Sequence, residues 1–344
     1  MGNNTNPTQF SNPTMIIQTL PIPSPLTIPA EPLTPTAFSP FGSVLANPAP
    51  ERRPHNTSPS ALPSGYGAVS ANQGTAIQYR ALAPPLRNLY DQAPSRKPAT
   101  PRTTMFVCGA RQLVPDPDPV PVPERAPRDQ QKQRHEKRQR HKQNKHRSSN
   151  SNASSSSSSG SSSGSSSGGS SSEAGLFQVQ ILERHPYTTQ IFIPLGAGAT
   201  TRYLVIVAPT LPADTTPNNN TPAPIPKDAP APTGTDLPGA GLPDLTRLRA
   251  FVATGAQAVT YGAGTWHAPM AALGPAGSAI EFVVVQFAND EAVEDCQEVA
   301  LEGRRSSGVV GEGAREGEKG KEGGDEATRI MVRVPAHRVR MSKL

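Results

Sequence analysis

The sequence predicts an all-β fold with a minor helical component, a barrel or double-sheet jelly roll carrying long disordered insertions. Three observations lead there. Many short β-branched and aromatic runs are bounded by turn residues, and long helical periodicity is missing between them. The chain of 344 residues has 40 prolines, 29 glycines and only 34% hydrophobic residues, so much of it cannot bury enough apolar surface to offset its ordering entropy. The expectation is one globular domain of roughly 160–190 residues, interrupted by low-complexity sequence.

Residues 1–27, rich in Pro, Thr and Asn around the apolar cluster Met15-Ile16-Ile17, read as a flexible lead, the alternative being that they frame a first strand, and residues 28–344 as a single domain. Glu31 to Ala37 predicts a helical turn with Thr34 as N-cap and Pro35 at the first helical position. Phe41 to Leu45 reads as the first core strand. Ala71 to Tyr79 reads as a turn entering a strand, and Thr104 to Cys108 as another. Further strands are expected at Phe177–Leu182, Thr189–Pro194, Arg202–Ala208, Ala258–Tyr261 and Ile280–Phe287, with a closing strand from Arg329 to Val334. Leu245 to Val252 predicts a short helix capped by Asp244. Disordered insertions are expected at 115–173, 212–241 and 303–327.

The formal charge of +6 is concentrated in a basic run from Arg125 to Arg147. Without it the chain is near neutral or slightly acidic. The run leads directly into a Ser/Gly linker, Ser148 to Ser172, and has neither interleaved aromatics for base stacking nor a zinc or helix-turn-helix signature. It therefore reads as a solvated surface insertion, and nucleic acid is not an expected partner. Cys108 and Cys296 are far apart and lack CxxC spacing, which argues against a disulfide framework or zinc site and for a reducing compartment. No apolar run is long enough for a membrane span, and the N-terminus lacks a signal-peptide pattern. Ser342-Lys343-Leu344 matches the peroxisomal address read by an import receptor.

Two polar clusters stand out. Leu182 to Gly196 gathers Glu183, His185 and Gln190 just before an alternating apolar run, and Tyr261 to Pro269 carries His267 beside Trp266. On neighbouring strands of a small barrel the two would converge in its mouth, a usual place for a small-molecule site. Each residue also has a plain structural reading. Glu183 would pair with Arg184 or Arg202, His185 would bond backbone at a turn, His267 would pack beside Trp266, and Arg80 would form a surface salt bridge.

The chain resembles the ureidoglycolate lyase family, also called ureidoglycolate hydrolase, of allantoin degradation. The resemblance rests on Glu31-Pro32-Leu33-Thr34 with Phe38 to Gly42, Asn72-Gln73-Gly74, Glu183 to Pro194, Pro243 to Thr246 with Leu248 to Phe251, Trp266-His267 and Asp295-Cys296, in the family's order. It implies a cupin-type barrel. Glu183, His185, Gln190 and Gly196 overlay the first half of the general cupin pattern, and Gly262, Gly264 and His267 the second. Glutamate and glutamine replace the usual first histidine and the glutamate.

By that resemblance the expected reaction splits ureidoglycolate into glyoxylate and urea. Glu183 or His267 would transfer the proton, and His185 would ligate a metal or stabilise the oxyanion. Asn72 and Gln190 would bond the urea moiety, and Arg80 would hold the carboxylate. Glu183, His185, Gln190 and His267 are the expected ligands if a divalent metal such as nickel or manganese is used. A homodimer is implied. A hydrolase of the same substrate releasing ammonia and carbon dioxide, and a non-catalytic cupin binding module, are the competing readings.

Overall fold

Strands dominate because the apolar residues alternate with a period of two, and each strand is short enough to end at a turn residue. In a computed structural model of the chain, residues 16–118, 174–212, 229–303 and 328–336 are described. Residues 1–116 and 172–344 form one structural unit, which contains everything reported below. In chain order the strands are β1 (Ile16–Ile22), β2 (Leu26–Pro32), β3 (Gly42–Ala46), β4 (Ala68–Ala71), β5 (Ala76–Tyr79) and β6 (Thr100–Gly109). They continue with β7 (Gly175–Val179), β8 (Ile181–Arg184), β9 (Gln190–Leu195), β10 (Arg202–Ala208), β11 (Arg249–Thr254) and β12 (Gln257–Tyr261). The last are β13 (Trp266–His267), β14 (Ala271–Leu273), β15 (Ala279–Ala288), β16 (Gln297–Gly303) and β17 (Ile330–Val334). Two single-turn helices accompany them, α1 (Pro35–Phe38) and α2 (Ala292–Asp295). None is long and apolar enough to cross a membrane.

A ten-stranded sheet runs β1-β16-β8-β13-β10-β11-β2-β17-β7, with β14 paired to β10, and a five-stranded sheet runs β3-β12-β9-β15-β6. β10 explains how they pack. All seven of its residues are buried, because its two faces serve different cores. Leu204, Ile206 and Ala208 join Leu182, Trp266, Val299 and Val332 in one core. Tyr203, Val205 and Val207 join Phe251, Tyr261 and Phe282 in the other, which fills the space against the five-stranded sheet. The large sheet thus encloses apolar side chains on one face and shares a second core with its neighbour on the other, the double-sheet all-β architecture expected from the sequence.

Local expectations fared unevenly. Thr34 does cap α1, its hydroxyl accepting from the Ala37 amide at 3.2 Å. The expected first core strand is the third, because residues 16–27, read as part of a flexible lead, supply β1 and the start of β2. Leu20 and Ile22 are buried in the first core, and β1 lies parallel to β16. The expected helix at Leu245–Val252 splits. Leu245–Arg247 makes one 3-10 turn, with the Asp244 carboxylate accepting from the Thr246 amide. β11 then follows, with Ala250 in one core and Phe251 in the other. Phe177–Leu182, read as one strand, is β7 and β8, broken at Gln180. Part of the expected insertion 212–241 packs closely: Ala229 is buried and the carbonyls of Gly239, Ala240 and Gly241 accept from Arg184. The basic run, the serine tract and Ser342–Leu344 lie outside the described residues.

Candidate active site

Alternation within three adjacent strands builds the site. On β8, Glu183 stands opposite His267 of β13 on one side and Glu298 of β16 on the other. Their chain neighbours Leu182, Trp266 and Val299 belong to the first core. Successive residues of a strand face opposite ways, so Glu183, His267 and Glu298 face the space between the sheets. His185, just past β8, joins them. One donor atom from each of Glu183, His185 and His267 lies within 4.8 Å of the other two.

Backbone carbonyls fix both imidazoles. His185 Nδ1 lies 2.6 Å from the Asp295 oxygen and His267 Nδ1 lies 2.9 Å from the Thr265 oxygen. A carbonyl only accepts, so each Nδ1 carries a proton, and in the neutral ring Nε2 presents a lone pair. Both Nε2 atoms are buried without a hydrogen-bond partner. His267 Nε2 comes within 3.4 Å of Glu183 Oε1, a close contact that lacks hydrogen-bond geometry. Tyr261 stacks on the His267 ring at 3.9 Å and 12°, holding the imidazole from its face. Gly264 shapes the turn between β12 and β13. Its φ is +77, a Cβ there would come within 2.9 Å of the Pro238 side chain, and its amide donates to the His185 carbonyl at 2.8 Å.

The electrostatics divide the carboxyl groups. Burial alone would raise the Glu183 carboxyl, but the contact with His267 and the positive charge that each neighbouring imidazole bears when protonated outweigh it and hold the group below its ordinary range. Glu298 is pushed up, first by burial and then by Glu183 beside it. Burial draws His185 down, which keeps its imidazole neutral. The Cys296 thiol is pushed well up by burial and by the neighbouring carboxylates, so it is no thiolate nucleophile at neutral pH.

Glu183, His185, Cys296 and Glu298 open on a cavity of about 610 Å³, lined also by Gln190, Phe192, Phe106 and Cys108, while the buried His267 is not among its lining residues. The Gln190 amide nitrogen donates to Gln286 Oε1 at 2.6 Å. Gln190 Oε1 and Glu298 Oε2 are left buried and unpartnered. Among the described residues lining the cavity there is no lysine or arginine. A second cleft of about 510 Å³ contains Arg247 and Arg249. None of Glu183, His185, Gln190 and His267 lines it, and Arg249 is engaged by Glu31 at 2.7 Å.

Of the six residues expected from sequence, Glu183, His185, Gln190 and His267 come together. Asn72 and Arg80 do not. Both are exposed, and neither lines the cavity. They belong to the β4–β5 hairpin, which pairs with no other strand among the described residues. Asn72 is spent on the turn, with φ of 50, a conformation asparagine tolerates. Arg80 donates to Gln78 Oε1 at 3.2 Å. Glu183 pairs with neither Arg184, which faces the other core, nor Arg202, which donates to the Pro335 carbonyl. Glu298 went unread as a site residue because nothing in the sequence reveals that β16 lies beside β8.

The sequence model of a family described as ureidoglycolate lyase matches residues 25–306. The chain belongs to the ureidoglycolate lyase family. It is 37% identical over 126 residues to a ureidoglycolate lyase of Schizosaccharomyces pombe, an alignment covering 36% of this chain and 50% of that one. It is 36% identical over 124 residues to that of Saccharomyces cerevisiae, covering 35% and 49%. With a Burkholderia mallei ureidoglycolate lyase it shares 35% identity over 114 residues, covering 33% and 46%. In these alignments the chain spans about half the length of the curated relatives it matches.

The donor set fits a divalent cation. Two imidazole nitrogens and one carboxylate converge, each imidazole oriented through its other nitrogen, as metal-binding histidines are. Gln190 Oε1 is a neutral fourth donor type nearby.

Proposed function

We propose that the chain is a ureidoglycolate lyase, releasing urea and glyoxylate, on a cupin-type scaffold in allantoin breakdown. The observation that carries this reading is the convergence of unpartnered acceptors, His185 Nε2, His267 Nε2, Gln190 Oε1 and Glu298 Oε2, around an ionised Glu183. Buried acceptors are costly unless a donor or cation meets them. A ureido group brings several N–H donors. Gln190 and Glu298 match them, while Glu183 takes the hydroxyl proton as the C–N bond breaks and the departing nitrogen gains a proton to become urea. His185 and His267, with Glu183, would hold a divalent ion such as nickel or manganese, and Gln190 is available as a further ligand. A bound ion would supply the positive charge that the substrate carboxylate and the forming oxyanion require.

Purified protein given ureidoglycolate is expected to yield urea and glyoxylate in equal amounts. Glu183→Gln and His267→Ala are each expected to lower kcat by about 10²-fold. Ammonia as the sole nitrogen product would replace the lyase reading with the hydrolase one, and no turnover of any ureido compound would favour a binding module.

The cation reading has its own check. Calorimetric titration of nickel or manganese into chelator-treated protein is expected to give one site per chain, weakened about 10²-fold in His185→Ala. Full activity with no measurable binding would exclude a metal role.

A homodimer is supported by β6, an edge strand of the five-stranded sheet on which Met105, Phe106 and Val107 are 54%, 50% and 66% exposed. Apolar exposed edges invite pairing. Val107→Lys should yield a monomer by sedimentation, whereas a persisting dimer would remove β6 from the interface.

Ser342-Lys343-Leu344, where it stands at the protein's own C-terminus, supports recognition by the peroxisomal import receptor. Deleting it is expected to move a tagged protein from peroxisomes to cytosol, and an unchanged distribution would end the proposal.

A further inference from the structure

The turn leading from β15 into β16 is built around one side chain. Asp295 closes α2, and its carboxylate accepts from the Tyr90 hydroxyl at 2.6 Å, the Asn289 amide at 2.9 Å and the Asp290 amide at 2.8 Å. Asp290 lies in the left-handed region, with φ of 65, which turns its amide back toward that carboxylate. A second clamp grips the same turn. Glu294, 3% exposed, accepts from the Ser95 amide at 2.8 Å, the Ser95 hydroxyl at 2.7 Å and the Asn289 side-chain amide at 2.7 Å.

We propose that Asp295 is a positioning residue for His185, braced by Tyr90, and that it acts by fixing which imidazole nitrogen carries the proton. Its backbone oxygen lies 2.6 Å from His185 Nδ1 and leaves Nε2 of the neutral ring without a proton. That lone pair is what the cluster with Glu183 and His267 uses. The carboxylate itself is engaged by its three donors, so the contribution runs through the main chain. Tyr90 is well placed as a brace. Its ring is 2% exposed and packs on Tyr187 at 5.6 Å, while its hydroxyl also reaches the Phe287 carbonyl at 3.2 Å. Burial and the contact with Asp295 push the phenol well above its ordinary range, so it remains a donor. This assigns work to the Asp295-Cys296 motif, which the proton-transfer scheme leaves idle, and to a tyrosine roughly two hundred residues away in the chain, a separation of 205.

The inference rests on the lyase reading only in its kinetic arm. Long-range ¹H–¹⁵N correlation of the imidazoles in the chelator-treated full-length chain, with His185 assigned by its loss in His185→Gln, reads the tautomer directly. The native chain is expected to show the Nδ1–H form. Asp295→Ala should populate the Nε2–H form, Asp295→Asn should do so less, and Tyr90→Phe should shift the balance the same way. kcat should fall by about 10-fold or more in Asp295→Ala, with KM within about 2-fold. Asp295→Asn and Tyr90→Phe preserve shape and carry the test if Asp295→Ala does not fold. An unchanged His185 tautomer in these folded variants overturns the proposal, whatever happens to thermal stability. Absence of turnover in every form, with the tautomer shift present, would instead remove the lyase reading and leave the positioning role standing.

Discussion

The site depends on a buried guanidinium. Glu183 and Arg184 are consecutive on β8, and a strand sends consecutive side chains to opposite faces. Glu183 can face the cavity only if Arg184 enters the other core, where it is fully buried. Among the described residues no carboxylate meets it there. Its Nε donates to Gln297 Oε1 at 2.9 Å, its terminal nitrogens reach the carbonyls of Gly239, Gly241 and Ala240, and its plane lies 4.6 Å from the Trp266 ring. Burial still draws it down to about 10, so it stays charged. An unsatisfied buried charge costs several kcal/mol, and this one is tolerated because the carbonyls and the aromatic face replace water. The same bonds tie residues 239–241 to the sheet, and the Trp266 indole donates to the Gly241 carbonyl at 3.1 Å. Trp266 precedes His267, so one contact fixes both strands that carry the cluster.

What could be read from the sequence was what is local. The β-branched and aromatic runs at Arg202–Ala208 and Ile280–Phe287 belong to the strands themselves, and the Thr34-Pro35 cap is complete within four residues. Glu183, His185, Gln190 and His267 were legible through a family pattern that preserves their spacing. The pairing of β16 with β8 was not legible, since it joins segments more than a hundred residues apart and leaves no local mark. Glu298 and the bracing role of Tyr90 were hidden for that reason. Asn72 and Arg80 show the converse error. Their residue types suit a ureido group and a carboxylate, but type says nothing about which sheet a hairpin joins. The proline-rich composition also misled at residues 16–27, where Pro21 is compatible with β1 because that strand lies at the edge of its sheet.

The two-core arrangement explains why the polar cluster can be held still. Glu183, His267 and Glu298 come from three neighbouring strands whose opposite faces are all packed into the first core. A side chain on such a strand cannot shift without disturbing apolar packing behind it. Stacking of Tyr261 on His267 extends this into the second core, where Tyr261 touches Phe38 and Phe192. His185 lacks a strand beneath it. Its position is set instead by the Gly264 amide on its carbonyl and the Asp295 carbonyl on its ring, so the least supported member of the cluster has the most dedicated hydrogen bonds.

The polarity of the cavity follows from this construction. The Nδ1 protons are engaged by carbonyls and one Gln190 amide hydrogen by Gln286, and the unpartnered atoms Gln190 Oε1, His185 Nε2 and Glu298 Oε2 are acceptors, with two carboxyl groups beside them. Such a surface is a poor host for an unaccompanied anion. An α-hydroxy carboxylate would meet Glu183 and Glu298 with no lysine or arginine among the described lining residues to offset them. Its ureido end suits the same surface better, because its N–H groups would meet buried acceptors such as Gln190 Oε1 and Glu298 Oε2. The two ends of the proposed substrate therefore make opposite demands, and a cation held by the imidazoles and Glu183 would reconcile them: it would answer the unpartnered nitrogens, offset the carboxyl groups and give the substrate's negative end a partner where the three strands converge.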